Sequence, residues 1–310
     1  MGSALLGLGH NLPPLVETAA GRRPIAASGG SSDLALPAAE HALAQAGVAA
    51  GGVDFIVFAT ATPDVTFPGA ACYLQHKLAC NTVGALDVRA QCAGFLFGLS
   101  VADKFIRAGS YRRVLLVGAE VLSPGLDYSA GGLPVASLFG DGAAAALVGP
   151  GAAGAGALAI VVHSDGRQYD RFWCEYPSSR RHPTRVTVAD FQAGRHFPAL
   201  DFAAVRRFGL ATLPAVIDEA LAVAGVARSR IDRFFVSHVF ADVADQVSDQ
   251  LGIAAKTTNC TTHNAGHLMA ASIPASLSAA MAAAEVGAGA RVCLAACGAG
   301  FTWGAAVVQL

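Results

Sequence analysis

Short, nearly unbroken apolar runs alternate along the chain with longer stretches whose apolar residues recur at helical spacing. FIVFAT (Phe55–Thr60), RVLLVGA (Arg113–Ala119), RFFVSH (Arg233–His238) and RVCLAAC (Arg291–Cys297) are rich in Val, Leu, Phe and Ala. Polar residues do not alternate within them, as expected of strands buried on both faces of a parallel sheet. Between them lie helical patterns, such as the one from Gly94 to Ile106 that follows a strand end at Ala85–Val88. Strands and helices in alternation predict an α/β protein whose sheets are covered by helices. The apolar run Leu268–Ala284 is Ala/Ser-rich and interrupted by Pro274. It reads as a buried helix rather than a membrane span.

The pattern repeats. At an offset of 178, ALAQAGVAAGGVD (Ala42–Asp54) lines up with ALAVAGVARSRID (Ala220–Asp232), with eight of 13 positions identical. Each copy reads as a helix end, a Gly stop and an apolar strand. The same offset relates RVLLVGA to RVCLAAC. The chain therefore reads as two related halves of one compact unit, 1–165 and 166–310, the second opening with an irregular stretch. That stretch, Arg167–Arg207, is rich in Arg, Pro and aromatics and is expected to run over a site or a dimer interface. The offset makes Thr60 and His238 equivalent strand ends. It also makes the Cys92 segment roughly equivalent to the His267 segment, bringing a Cys loop near His loops at one sheet edge, where ligands bind in such folds.

Composition narrows the function classes. Charged residues make up 14% and hydrophobic ones 54% of the 310, with a net charge of -1, which suits a large buried core and gives no global attraction for nucleic acid. Arg22-Arg23, Arg112-Arg113, Arg180-Arg181 and Arg206-Arg207 are local basic pairs, read either as solvated faces or as a docking patch for an acidic carrier protein or a phosphorylated cofactor. Seven scattered cysteines argue against a disulfide framework and for a reducing, cytoplasmic setting. They form no C-x-x-C zinc pairing. The start of the chain lacks the cationic segment of a signal peptide.

Candidate chemistry centres on Cys92, at the joint between a strand end and the helix beginning at Gly94. Backbone N–H groups and the helix dipole there are expected to favour a thiolate suited to acyl transfer. His238 closes an apolar strand, and His267 follows a Gly in THNAGH. No G-x-S-x-G elbow is present, and FGDGAAA (Phe139–Ala145) and CGAGF (Cys297–Phe301) are neither G-x-G-x-x-G nor P-loops. They read as tight turns.

FPGAACYLQHKL, QCAGF, LSVAD, LFGDGAAAALV, HSDG, GH…AASIP and the terminal GAGFTWGAAVVQL together resemble the β-ketoacyl-ACP synthase III family over nearly the whole length. The resemblance implies a thiolase-like, five-layered αβαβα fold from two duplicated halves, and a dimer. It implies Cys92 as acyl-accepting nucleophile, His238 as first catalytic His, and the backbone N–H groups of Cys92 and Ala299 as oxyanion hole. Phe67 matches a residue that reaches across the dimer to bound the partner's acyl pocket. The chain departs from the family at His267, where the family has Asn. A Cys-His-His set is used by elongating ketosynthases of the superfamily, so His267 is expected to support decarboxylation. Leu133 replaces an Arg near the coenzyme A adenine, and the N-terminal Trp segment is missing, leaving Arg22 or Arg23 as a remaining contact. A carrier-linked starter is thereby favoured over coenzyme A. Cys297 stands where many members have Phe, which would widen the pocket.

The resulting expectation is an acyltransferase that acylates Cys92 from an acyl-CoA or acyl-carrier thioester. It then carries out decarboxylative condensation with a malonyl- or β-ketoacyl-carrier in a specialised lipid or polyketide pathway. Alternatives are an acyltransferase forming esters or amides without decarboxylation, or one subunit of a heterodimeric ketosynthase. No metal and no cofactor beyond the thioester carriers is implied.

Overall fold

A computed structural model describes residues 2–152, 154–260 and 265–310. Strand β1 (Gly2–Asn11) is followed by a hairpin, β2 (Leu15–Thr18) and β3 (Gly21–Pro24), and by helix α1 (Ser31–Gln45). Next come β4 (Phe55–Ala59), α2 (Ala70–Lys77), β5 (Gly84–Val88), α3 (Gly94–Arg107), β6 (Val114–Glu120), the short α4 (Leu133–Ala136) and β7 (Gly142–Gly151). Strand β8 (Gly156–Ser164) leads into β9 (Phe172–Trp173), α5 (Val188–Gln192) and β10 (Ala199–Leu200). The chain ends with α6 (Phe202–Ala224), β11 (Arg233–Ser237), α7 (Ala241–Gln250), β12 (Thr257–Asn259), α8 (Ser272–Ala282), β13 (Arg291–Gly298) and β14 (Thr302–Gln309).

Two five-stranded sheets result, in the orders β1-β7-β6-β4-β5 and β12-β11-β13-β14-β8. In each, four strands run in one direction and one, β7 or β14, runs against its two neighbours. α1 and α2 cover the outer face of the first sheet, α3 and α8 lie between the sheets, and α6 and α7 cover the second. This is the five-layered αβαβα architecture. The apolar runs become strands because both faces are covered: every residue of Val114–Glu120 is buried. The amphipathic α3 turns Phe95, Leu96, Leu99, Ala102 and Ile106 into the central layer. Each of its large side chains contributes about 1.5–3 kcal/mol of apolar burial.

The sheet pairings relocate the division between the halves. The sequence division at 165 places residues 156–164 in the first half, but β8 pairs with β14 in the second sheet. The division therefore falls between β7 and β8, not at 165. The Arg167–Arg207 excursion is shorter than its composition suggests, because its last residues, from Phe202, form the first turns of α6.

The duplication extends to backbone detail. Gln91 and Met269, at the 178 offset, both take left-handed backbone (φ 44° and 45°), uncommon for residues with a Cβ. Each opens a single 3₁₀ turn, Gln91–Ala93 or Met269–Ala271, that leads into a central helix. The two turns pack against each other where the halves meet. Gly118 on β6 makes room for the second turn, since a Cβ there would lie 2.5 Å from the Ala270 carbonyl oxygen. Gly118→Ala is expected to cost about 1–3 kcal/mol by overpacking against backbone. A thermal melt that matches wild type would contradict this packing.

Candidate active site

Cys92 sits inside the first 3₁₀ turn, 2% exposed. Its sulfur packs on the end of β13, where a Cβ on Gly298 would lie 2.3 Å from Sγ. The N–H groups of Ala299 and of Cys92 itself are directed at Sγ. These are the two donors assigned from the sequence to an oxyanion hole, and they converge on Sγ. The expected thiolate is not what the site favours. Burial pushes the thiol up to about 12, and the buried Glu120 adds to the rise, outweighing the two N–H groups. Helix-start placement thus gives oriented donors but not an ionised sulfur.

His238 follows the last residue of β11 and His267 precedes the second 3₁₀ turn; both are fully buried. The residues Thr262, His263 and Asn264 of the THNAGH segment lie outside the described residues. His267 is anchored by its own N–H to the Leu138 carbonyl, by a bridge to Phe139, and by its carbonyl accepting from Gly140 N–H. The Gly-rich LFGDG segment therefore holds the second His. Its Asp141 accepts from the N–H groups of Ala26, Leu122 and Ser123 and from the Ser123 hydroxyl.

The hydrogen bonds of the two rings fix their tautomers. Phe240 N–H donates to His238 Nδ1 at 3.1 Å, and Met269 N–H donates to His267 Nδ1 at 3.2 Å. A main-chain N–H can only donate, so each Nδ1 is an acceptor and each Nε2 carries the hydrogen. The Phe240 carbonyl, at 3.4 Å from His238 Nδ1, is the weaker contact. Burial lowers His238 to about 4, helped by the Arg206 charge, and lowers His267 to about 3, helped by His238. Both rings are neutral Nε2–H donors at neutral pH.

A cavity of about 710 Å³ opens near this centre; Gln91, the neighbour of Cys92, lines it, but Cys92, His238 and His267 do not. Gln91, Met269, Ala299 and Gly300 line its floor, and Ala61, Thr62 and Leu122 its side. The excursion forms the roof through Tyr169, Phe172, Trp173, Tyr176 and His196. Arg89 and Arg185 line it as well and are exposed.

The other residues singled out from the sequence are dispersed. Cys297 is buried in the same core as Cys92 but does not line the cavity. Phe67 projects from the loop before α2, 79% exposed. Leu133, on α4, packs against the core and not against the cavity. Arg22 is exposed on β3, while Arg23 donates through Nη2 to the Ser137 carbonyl at 2.6 Å.

Sequence reasoning missed Glu120, whose signal was an acid closing the RVLLVGA strand. It is fully buried and accepts from Thr62 Oγ1 (2.8 Å), Ala61 N–H (3.1 Å) and Thr60 Oγ1 (3.3 Å), and from Ala270 N–H. It thus ties a cavity-lining loop of one half to the turn after His267 in the other. Burial raises its carboxyl from 4.5 to about 7. Between those values the folded protein holds a proton that the unfolded chain has released, so this group makes stability fall as pH rises through that window. Glu120→Gln removes that fall. Comparing urea denaturation at pH 5 and pH 7, the variant is expected to gain on wild type by up to about 3 kcal/mol. Histidine contributions cancel in the difference. Parallel pH curves would contradict an ionisable Glu120.

Comparison with known proteins places the chain in a family. Residues 86–166 match the family described as 3-Oxoacyl-[acyl-carrier-protein (ACP)] synthase III, and residues 221–310 match its C-terminal part. The β-ketoacyl-[acyl-carrier-protein] synthase III of Rhodospirillum centenum is 38% identical over 93% of this chain and 86% of its own length. Among solved structures, the 3-oxoacyl-[acyl-carrier-protein] synthase III of Aquifex aeolicus is 26% identical, covers 100% of both chains and superposes with a TM-score of 0.88. The priming β-ketosynthase of the R1128 polyketide pathway is 26% identical, with 99% of this chain and 96% of its own covered and a TM-score of 0.89.

Proposed function

Because this chain belongs to the 3-oxoacyl-[acyl-carrier-protein] synthase III family, an acyltransferase family of condensing enzymes, we propose that it joins an acyl group carried on Cys92 to a malonyl-type thioester with loss of CO2. The thiol of Cys92 attacks the donor thioester. The acyl group moves to Sγ, and the departing carrier thiolate takes up the thiol proton. The acyl oxygen, beside Sγ, then comes within reach of the Ala299 and Cys92 N–H groups. A malonyl thioester entering the cavity loses CO2, and the electron pair of the broken C–C bond becomes an enolate. His238 and His267 donate Nε2–H to the enolate oxygen. The enolate carbon attacks the acyl carbonyl, Sγ leaves, and a β-ketoacyl thioester is released.

The observation that carries this reading is the main-chain N–H that each buried imidazole receives at Nδ1, which leaves the hydrogen on Nε2. A general base would need a lone pair at Nε2. What the site offers is a pair of neutral donors, suited to negative charge on oxygen. This favours condensation over ester or amide formation, for which a base must take a proton from the acceptor.

The extended partner is an acyl carrier protein, in keeping with the names of the relatives. A specialised pathway is favoured by the likeness to the R1128 priming enzyme and by the roomy, aromatic-roofed cavity. Dimerisation is favoured by two exposed features on one edge: β5, an edge strand whose Gly84, Ala85 and Leu86 are exposed, and the projecting Phe67. No described helix is long and apolar enough to cross a membrane.

Intact-protein mass spectrometry with a panel of acyl thioesters, followed by a CO2 assay with malonyl-carrier, tests the reading. Wild type is expected to gain one acyl mass and then release CO2. Cys92→Ala gains no acyl mass, and His267→Ala acylates but loses CO2 release by roughly 100-fold or more. Acylation without CO2 from wild type would contradict condensation. The pH dependence gives a second check: with both rings neutral down to well below pH 6, the CO2 step of Glu120→Gln, which lacks the carboxyl that titrates near 7, is expected to stay flat from pH 6 to pH 8. An inflection near 6.5 would mean that one imidazole titrates normally.

A further inference from the structure

Ser237, the last residue of β11, is fully buried, and its Oγ lies 3.1 Å from Nε2 of His267, itself fully buried. A serine beside a histidine nitrogen resembles a nucleophile–base pair, but the direction of this hydrogen bond is the reverse. His267 Nδ1 already accepts from Met269 N–H, so Nε2 holds the hydrogen and Ser237 Oγ accepts it. The imidazole cannot take the serine proton in this tautomer. The ring is instead pinned at both nitrogens: by main chain from its own turn on one side, and by a hydroxyl from the neighbouring strand on the other.

We infer that Ser237 is a positioning residue for His267, fixing the ring and holding its Nε2–H in place until the oxygen of the malonyl-type thioester competes for it. This rests on the condensing reading above and adds a residue to it. The strand fixes the hydroxyl firmly, because Ser237 is in register with Ala296 on β13, two residues before the glycine that touches the Cys92 sulfur. The same strand end thus sets His238 by chain connection and His267 by hydrogen bond. The two donors keep a constant spacing as a result. The buried hydroxyl also satisfies a buried N–H that would otherwise lack an acceptor in the resting enzyme. A thioester oxygen needs only to replace one neutral acceptor by a better, increasingly anionic one.

The test separates the two chemical steps. Ser237→Ala is expected to acylate Cys92 within about threefold of the wild-type rate, which also shows that the variant is folded. Its CO2 release from malonyl-carrier is expected to fall by roughly 10- to 100-fold in kcat, with KM little changed, as for a misplaced catalytic group. Ser237→Thr, which keeps the hydroxyl, is expected to recover most of that loss. Should Ser237→Ala fail to fold, Ser237→Cys, with a poor acceptor in nearly the same volume, carries the same expectation. CO2 release unchanged in the variant, or acylation and CO2 release falling together, would overturn the inference while leaving the condensing reading intact. A wild type that acylates but releases no CO2 would remove that reading and this inference with it.

Discussion

Each of the two histidines at the centre of this protein receives a main-chain N–H at Nδ1 from the residue two positions further along. That small constraint decides what the site can do. It places the hydrogen on Nε2 in both rings, and burial then keeps both neutral. A pair of oriented neutral donors, enclosed beside a thiol, is suited to oxygen that gains negative charge. It is poorly suited to proton abstraction. The rest of the fold serves to hold those two N–H groups where they are. Met269 provides one from a left-handed residue at the start of a 3₁₀ turn, and Phe240 provides the other from the N-terminal boundary of α7.

The pseudo-symmetry of the chain explains how such a site is assembled. Two βα halves meet across the central helical layer, where a pair of equivalent 3₁₀ turns pack together, one bearing Cys92 and the other following His267. Both turns begin with a strained residue, and such strain persists only when surrounding packing imposes it. Gly118 and Gly298 remove side chains where the turns and sheets come closest. Glu120 then spans the junction, accepting hydrogen bonds from loops of both halves. The thiol, by contrast, lies in surroundings that disfavour its ionised form, which the N–H pair aimed at sulfur only partly offsets.

Much of this was legible in the sequence. The strands and the central helix followed from apolar runs and helical spacing, and the repeat located equivalent strand ends at Thr60 and His238. The family motifs pointed to the five-layered fold and to Cys92, His238 and His267. What was not legible has physical reasons. The boundary at 165 failed because β8 belongs by hydrogen bonding to a sheet whose other strands come much later in the chain. The ionised thiol failed because a helix-start argument counts dipoles and not burial. Glu120 and Ser237 escaped notice because a lone acid or serine at a strand end has no periodic signal. Only the fold brings them to Thr62 and to His267.

The most direct test of the account is the protonation of the two rings. ¹⁵N NMR of uniformly labelled protein at pH 7, with assignment through His238→Gln and His267→Gln, reports both nitrogens of each imidazole. The account predicts that His238 and His267 both show a protonated Nε2 and an unprotonated Nδ1, unchanged down to pH 6. A protonated Nδ1 in either ring, or an imidazolium at neutral pH, would contradict it.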